Sequence, residues 1–178
     1  MSAARQAVQQ KDARAGATAW TQVDSPVGTL VLGARDSALV RVKWGSCAAR
    51  DETPLLQEAA RQLAAYFAGE RTTFDLPLAP EGTSFQRQVY AAMAAIPYGA
   101  TRSYGEIAAE LDGIARAVGS ACGSNPLPLV IPCHRVLAGG GKLGGFSGGS
   151  SRETALETKR WLLLHEGALQ PDRQMALF

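Results

Sequence analysis

Two short apolar, β-branched runs near the start of the chain, TLVLGA (29–34) and ALVRVKW (38–44), are separated only by Arg35, Asp36 and Ser37, a spacing that predicts a β-hairpin. AWTQV (19–23) supplies a candidate third strand. From Pro54 the period changes: Leu55, Leu56, Ala59, Leu63, Tyr66 and Phe67 recur at helical spacing, and Gly69 closes the run. The pattern predicts a small sheet covered by one helix. Pro77, Pro80 and Gly82 then interrupt TFDLPLAPEGT (73–83), which has no helical period and marks a boundary.

Beyond that boundary the pattern is mostly helical. Phe85, Val89 and Met93 stand at i, i+4 and i+8 in a helix that must end before Pro97-Tyr98-Gly99. Ser103 and Glu106 form a capping-box pair, so the next helix starts at Tyr104 and runs to about Leu111. It breaks near Asp112-Gly113, and a second short helix covers 113–122. Two short helices around a glycine-containing turn resemble a helix-turn-helix, although any helical hairpin has this spacing. Pro126, Pro128 and Pro132 exclude a helix and predict an extended apolar connector from Asn125 to Pro132. It leads to Cys133-His134-Arg135-Val136 and then to AGGGKLGGFSGG (138–149), a glycine-rich loop that lets backbone approach a ligand closely. In the last helix, within 152–167, Leu156, Arg160, Leu163 and Leu164 recur at helical spacing and Gly167 is the stop.

Composition narrows the class. At 178 residues the chain forms one compact domain or two small ones. With 46% hydrophobic and 19% charged residues and no apolar run near 20 residues, neither wholesale disorder nor membrane insertion describes it. From a net charge of +2 a nucleic-acid partner cannot be argued, so any such claim must come from a local site. Cys47, Cys122 and Cys133 are an odd, widely spaced set, and the start of the chain lacks a signal peptide's apolar stretch; both point to a reducing cytoplasm. With only His134 and His165 beside them and no Cys-x-x-Cys pair, no metal site is expected.

Cys133 is the first candidate for chemistry. It lies between a proline-stiffened connector and a glycine-rich loop, beside a histidine and an arginine that favour thiolate, whereas Cys47 and Cys122 read as small buried hydrophobes. In an extended segment Cys133 and His134 would point in opposite directions, so the pair would need a bridging water. His165, at a helix C-terminus, reads as solvent-facing. Glu166 opposes the helix macrodipole at a cost of about 0.3–1 kcal/mol, which a partner such as His134 would explain.

In chain order, Arg116-Ala117-Val118-Gly119, Asn125-Pro126, Pro132-Cys133-His134-Arg135-Val136, Lys159-Arg160-Trp161-Leu162-Leu163 and Glu166-Gly167 resemble the O6-alkylguanine-DNA alkyltransferases. The resemblance is carried by residues 84–167, and residues 18–83 are similar to the family's N-terminal domain more loosely. It implies an α+β fold: a small N-terminal ribonuclease H-like α/β domain (18–83) and a helical C-terminal domain (84–167) with a winged helix-turn-helix, between a disordered leader (1–17) and a tail (168–178).

The resemblance also implies an activity. A guanine alkylated at O6 in double-stranded DNA, and by extension a thymine alkylated at O4, would be flipped out, and its alkyl group moved irreversibly to Cys133, once per molecule and without cofactor or metal. His134 would take the thiol proton through a water while Glu166 orients it. Asn125 would fix the connector, Tyr104 would hydrogen-bond the leaving base, and Lys159 and the Ser147 amide would lie near O6. Arg116 would replace the extruded nucleotide, with Ala115, Ala117 and Gly119 letting the helix lie close to the DNA backbone and with Tyr104 and Arg135 completing the DNA contacts. Pro128, Phe146, Ser147 and Gly148 would wall the base pocket. The partner would be double-stranded DNA containing O6-alkylguanine, met by a cytoplasmic monomer that touches no membrane, with cooperativity on DNA left open.

Three departures from the family pattern stand out. The Tyr104 to Arg116 interval is shorter than is common. The Ser147 to Lys159 interval is longer, filled by GGSSRETALET with a Ser150–Glu153 capping signal, so either the pocket lid is larger or the last helix starts earlier. Phe146 stands where tyrosine is frequent. A non-enzymatic damage-binding protein of the same fold is the alternative, and a cysteine hydrolase a more distant one. The joint presence of Cys133, His134, Asn125 and Glu166 favours the alkyl acceptor, because a binder needs none of that set.

Overall fold

The structure, a computed structural model, describes residues 16–149 and 151–170. The expected leader up to residue 15, the tail beyond residue 170 and Ser150 lie outside the described residues.

Three antiparallel strands, β1 (Ala19–Val23), β2 (Leu30–Arg35) and β3 (Ala38–Trp44), pair in sequence order. The two-residue turn between β2 and β3 is Asp36-Ser37, both at positive φ (50° and 62°), the combination that matches the twist of a tight hairpin. Replacing Ser37 by glycine relieves an exposed left-handed residue, so Ser37→Gly is expected to raise the melting temperature by about 2–4 °C. An unchanged or lowered melting curve would show that the turn is not strained. Across the β1–β2 pair, Trp20 faces Gly33, where a Cβ would come within 2.6 Å of the indole. Only glycine leaves room for that ring.

Helix α1 (Pro54–Phe67) starts at the Thr53 cap, whose hydroxyl accepts from the Leu56 amide at 3.2 Å, and ends before Gly69 at φ 76°. It buries Leu56, Ala59, Leu63 and Tyr66 against β2 and β3, as the periodicity predicts.

The boundary segment joins the fold instead of merely separating two parts. Leu39 N–H donates to the Pro77 carbonyl at 2.8 Å, and Ala79 N–H donates to the Leu39 carbonyl at 3.0 Å, making a short parallel bridge on the outer edge of β3. Farther along that edge, Val42 N–H donates to the Pro126 carbonyl at 2.9 Å, so the connector is anchored on the N-terminal sheet. One core runs through both halves, from Leu30 and Val42 to Val118 and Leu162.

In the second half, α2 (Ser84–Ala94) opens with a Thr83–Gln86 capping box. A two-residue strand β4 (Arg102–Ser103) leads into α3 (Tyr104–Glu110), which carries the expected Ser103–Glu106 capping box. Asp112 at φ 51° makes the turn into α4 (Ala115–Gly123). The connector then reaches a 3₁₀ turn at Cys133–Arg135, strand β5 (Val136–Leu137) pairs in parallel with β4, and α5 (Arg152–His165) closes the described chain.

The connector corrects one expectation. It is a compact turn, not an extended strand: Ile131 N–H donates to the Leu127 carbonyl at 2.8 Å and Leu129 sits at φ 74°. Prolines forbid regular helix but not a single turn in which the Asn125 side chain satisfies one free amide and one free carbonyl. The last helix corrects another. It buries Ala155, Thr158, Lys159, Leu162 and Leu163, a stripe rotated from the Leu156, Arg160, Leu163, Leu164 set, because the buried lysine reads as polar in a periodicity search. Its cap is Ser151, whose hydroxyl accepts from the Thr154 amide at 3.2 Å, in place of the expected Ser150–Glu153 pair. Residues 152–158 of the long Ser147–Lys159 interval are helical.

Candidate active site

The turn that replaces the expected extended connector also leads into Cys133. Asn125 holds it from both ends: its side-chain oxygen accepts from Leu127 N–H at 3.0 Å and its side-chain nitrogen donates to the Ile131 carbonyl at 2.8 Å. Cys133 follows in the 3₁₀ turn, 4% exposed, on the wall of a cavity of about 310 Å³. That volume lies at the lower end of the range of about 300–1,000 Å³ common for small-molecule sites. The cavity is lined by Tyr104 from α3, by Gly119, Cys122 and Gly123 from α4, and by Gly145, Phe146 and Ser147 from the glycine-rich loop.

Burial pushes the Cys133 thiol up from its ordinary range, while a hydrogen bond from the Asn125 side chain, the Lys159 charge and backbone amides pull it down. Burial also pushes the His134 imidazole down, against the upward pull of Glu166. His134 is fully buried, with Nε2 2.7 Å from Glu166 Oε1, and its Nδ1 has no hydrogen-bond partner among the described residues. Glu166 is itself buried, which works against its charge, but hydrogen bonds from His134 and Arg135 prevail and hold its carboxyl down at about 2. An ionised carboxylate can only accept, so Nε2 carries the hydrogen and the Nδ1 lone pair is left as a base.

Arg135 is corrected here. Expected at the DNA, it is 6% exposed and turned inward: Nε donates to Glu166 Oε2 at 2.8 Å, one terminal nitrogen to Oε1 at 3.0 Å, and the other to the Ile96 carbonyl at 2.6 Å. In a 3₁₀ turn His134 and Arg135 can both reach one carboxylate, which an extended segment would prevent. His165 is likewise not solvent-facing. Its ring stacks on Trp161 at 4.9 Å and its Nε2 donates to the Tyr66 carbonyl at 2.8 Å.

Tyr104 spans the cavity wall, its hydroxyl donating to the Gly145 carbonyl at 3.3 Å, and burial pushes its pKa up to about 12. It therefore remains a donor at neutral pH. Lys159 lies one layer behind: fully buried, it donates to the carbonyls of Val136 at 2.6 Å and Gly145 at 3.0 Å, with Nζ 5.8 Å from the Tyr104 ring centroid. Burial lowers its pKa to about 8, which still leaves it mostly charged near pH 7. Phe146 is held edge-on by Trp44 of β3 at 5.7 Å, so the N-terminal sheet reaches the pocket wall. Gly148 packs behind these two rings, where a Cβ would fall within 2.3 Å of Phe146 and 2.6 Å of Trp44. Pro128 is buried and outside the cavity lining, because the connector folds away from it.

On α4, Arg116 is exposed one turn before Gly119, and Cys122 and Gly123 follow one turn later, so a single stripe runs from an exposed cation into the cavity. Ala115 is exposed and Ala117 and Gly119 are half-buried, leaving little side-chain bulk on that surface. Ile114, 66% exposed, begins the same turn. Sequence reasoning missed Tyr66, Trp44 and Cys122 as neighbours of the site; each sits in an apolar pattern that reads as core. Among the described residues no group of three or more His, Cys, Asp or Glu side chains is placed to hold a metal, and no helix is long and apolar enough to cross a membrane.

Residues 84–168 match the family model described as 6-O-methylguanine DNA methyltransferase, DNA binding domain, and residues 19–80 match the ribonuclease-like domain of the same family. The chain is 48% identical over 143 residues to the methylated-DNA–protein-cysteine methyltransferase of Mycolicibacterium paratuberculosis, covering 75% of this chain and 87% of that protein. It is 42% identical over 155 residues to the protein of the same name from Methanosarcina acetivorans, covering 82% and 96%. Among solved structures, Mycobacterium tuberculosis OGT in complex with DNA superposes with a TM-score of 0.74 at 41% identity, covering 84% of this chain and 92% of that one.

Proposed function

The chain belongs to the 6-O-methylguanine DNA methyltransferase family, and from that premise we propose that it repairs O6-alkylguanine in double-stranded DNA by moving the alkyl group onto Cys133. The observation that carries the assignment of Cys133 is its position on the cavity wall, one residue from a buried imidazole whose Nε2 is bonded to an ionised carboxylate. The thiol proton passes to His134 Nδ1 through a water, and the thiolate attacks the alkyl carbon in line. A sulfur–carbon bond forms as the carbon–O6 bond breaks. The guanine leaves and takes up one proton, so the net reaction moves the alkyl group one way and the thiol proton the other. Tyr104 donates a hydrogen bond to the departing base, and Lys159 supplies positive charge to the developing thiolate. No cofactor takes part, and the thioether has no route back, so each molecule acts once. By the same chemistry O4-alkylthymine is a second substrate.

The Arg116-to-Gly119 stripe supports a flipping role for α4: Arg116 fills the place of the extruded nucleotide while the base enters the cavity. Arg116→Ala is expected to slow repair of duplex DNA by about tenfold or more while leaving reaction with free O6-alkylguanine base nearly unchanged. Equal losses on both substrates would remove Arg116 from that role. The reading also includes a division near residue 83 between the two domains, a monomer in solution and a cytoplasmic location.

Intact and peptide mass spectrometry after mixing with a duplex containing one O6-methylguanine tests the assignment. One added methyl per protein, located on Cys133, is the expected result. Retained binding to that duplex with no adduct would overturn it in favour of a damage-binding protein.

A further inference from the structure

Tyr66 belongs to the N-terminal half, on α1, and is fully buried. Its hydroxyl donates to Glu166 Oε1 at 2.7 Å, the same oxygen that receives His134 Nε2 at 2.7 Å. Its carbonyl accepts from His165 Nε2 at 2.8 Å, so consecutive residues at the end of α5 are tied to one tyrosine. The ring is wedged among Phe67, Phe74, Tyr98 and His165 at centroid distances of 5.2–6.1 Å, which leaves the hydroxyl no freedom to turn elsewhere.

We infer that Tyr66 is a positioning residue for the transfer reaction: its hydroxyl locks the Glu166 carboxylate and draws charge from the oxygen that faces His134. The inference rests on the proposed transfer to Cys133 for its consequence, but not for its geometry. A carboxylate oxygen shared among three donors, Tyr66, His134 and Arg135, attracts the imidazole proton less than one shared between two. Tyr66 therefore keeps His134 neutral and ready to accept the thiol proton, and it fixes the carboxylate so that Nε2, not Nδ1, faces it. Burial and the neighbouring Glu166 charge push the Tyr66 hydroxyl far above its ordinary range, so it remains a donor at every working pH.

The other groups facing this pair are Arg135 from the 3₁₀ turn, Tyr98 and the Gly99 amide from the loop after α2, and Lys159 and His165 from α5. None of the others combines a neutral donor, contact with Glu166 Oε1 and an origin in the N-terminal half.

Tyr66→Phe deletes the hydroxyl and keeps the ring. Because the chain has only two histidines, ¹⁵N-histidine NMR reads His134 directly, with His165 as the internal comparison. The expected result is that His134 in Tyr66→Phe takes its second proton about half a unit to one unit higher in pH than in the wild type. The acid limb of the transfer rate should move up by the same amount, so that transfer to Cys133 is slowed at pH values inside that limb and little changed above it. Phe67→Leu, which disturbs the same aromatic cluster without touching Glu166, should lower the melting temperature and move neither titration nor acid limb. An unshifted His134 in folded Tyr66→Phe, or an equal shift in Phe67→Leu, would reduce Tyr66 to packing and overturn the inference. A wild type that forms no Cys133 adduct while His134 still shifts would instead overturn the transfer reading and leave only the hold of Tyr66 on the Glu166–His134 pair.

Discussion

Cys133→Ser should abolish alkyl transfer, slowing it by on the order of a thousandfold or more, while affinity for a duplex containing O6-methylguanine stays within a factor of a few. Two quantities set that expectation. A serine hydroxyl is a far weaker acid than a thiol, and the His134 base has already been weakened by burial, so the pair that deprotonates sulfur does not deprotonate oxygen. Cys133 is also 4% exposed and recessed on the cavity wall, whereas Ala115 and Arg116 are exposed on the surface of α4. The expectation is therefore that binding survives when the chemistry is lost. Mass spectrometry for the adduct and a fluorescence titration with damaged duplex read them separately. Retained transfer by the serine variant would remove Cys133 as acceptor, and lost binding would place it in the DNA interface.

Glu166→Gln should be the most destabilising conservative change in the site. Glu166 neutralises a buried guanidinium, and removing one member of such a pair costs about 3–5 kcal/mol because the other charge is left uncompensated. The downward displacement of its carboxyl from 4.5 to about 2 points to a similar size, roughly 3 kcal/mol. Urea unfolding at neutral pH measures the loss, and Arg135→Met in the same chain should recover part of it. Recovery stays partial because the Ile96 carbonyl loses its donor.

The sign of the pH dependence follows from the same groups. The carboxyl pKa is depressed in the folded state, so its contribution is complete above 4.5 and fades as pH falls toward about 2. The His134 pKa is also lowered, so below its ordinary 6.5 the unfolded chain takes the proton first and acid destabilises further. Wild-type stability should therefore fall from about pH 6.5 downward, and Glu166→Gln should flatten the part of that fall below 4.5. Parallel curves for the two proteins would show that Glu166 does not titrate as its surroundings require.

Much of this molecule is legible along the chain. Strands 19–23, 30–35 and 38–44, the helix opened by Pro54, and the Ser103–Glu106 capping box follow from local rules: side-chain period, fixed φ and nearby hydrogen-bond partners. The Cys133-His134-Arg135 run and the Glu166-Gly167 pair mark the chemistry by residue type and order. What local rules could not reach is which way those residues turn. Arg135 looks like a surface cation until the 3₁₀ turn points it at Glu166, and Lys159 breaks the apolar period of α5 although it is fully buried, because two backbone carbonyls receive its ammonium. Three prolines read as an extended path, whereas the Asn125 side chain and the edge of β3 fold the same residues into a turn. Tyr66 is 100 residues from Glu166, and nothing in its own helix separates it from the other core positions of that stripe. Local sequence sets the backbone propensities and supplies the reactive groups. Burial, turn handedness and partners distant along the chain arise from packing one half against the other, which is where the acids, bases and cations of this site acquire their roles.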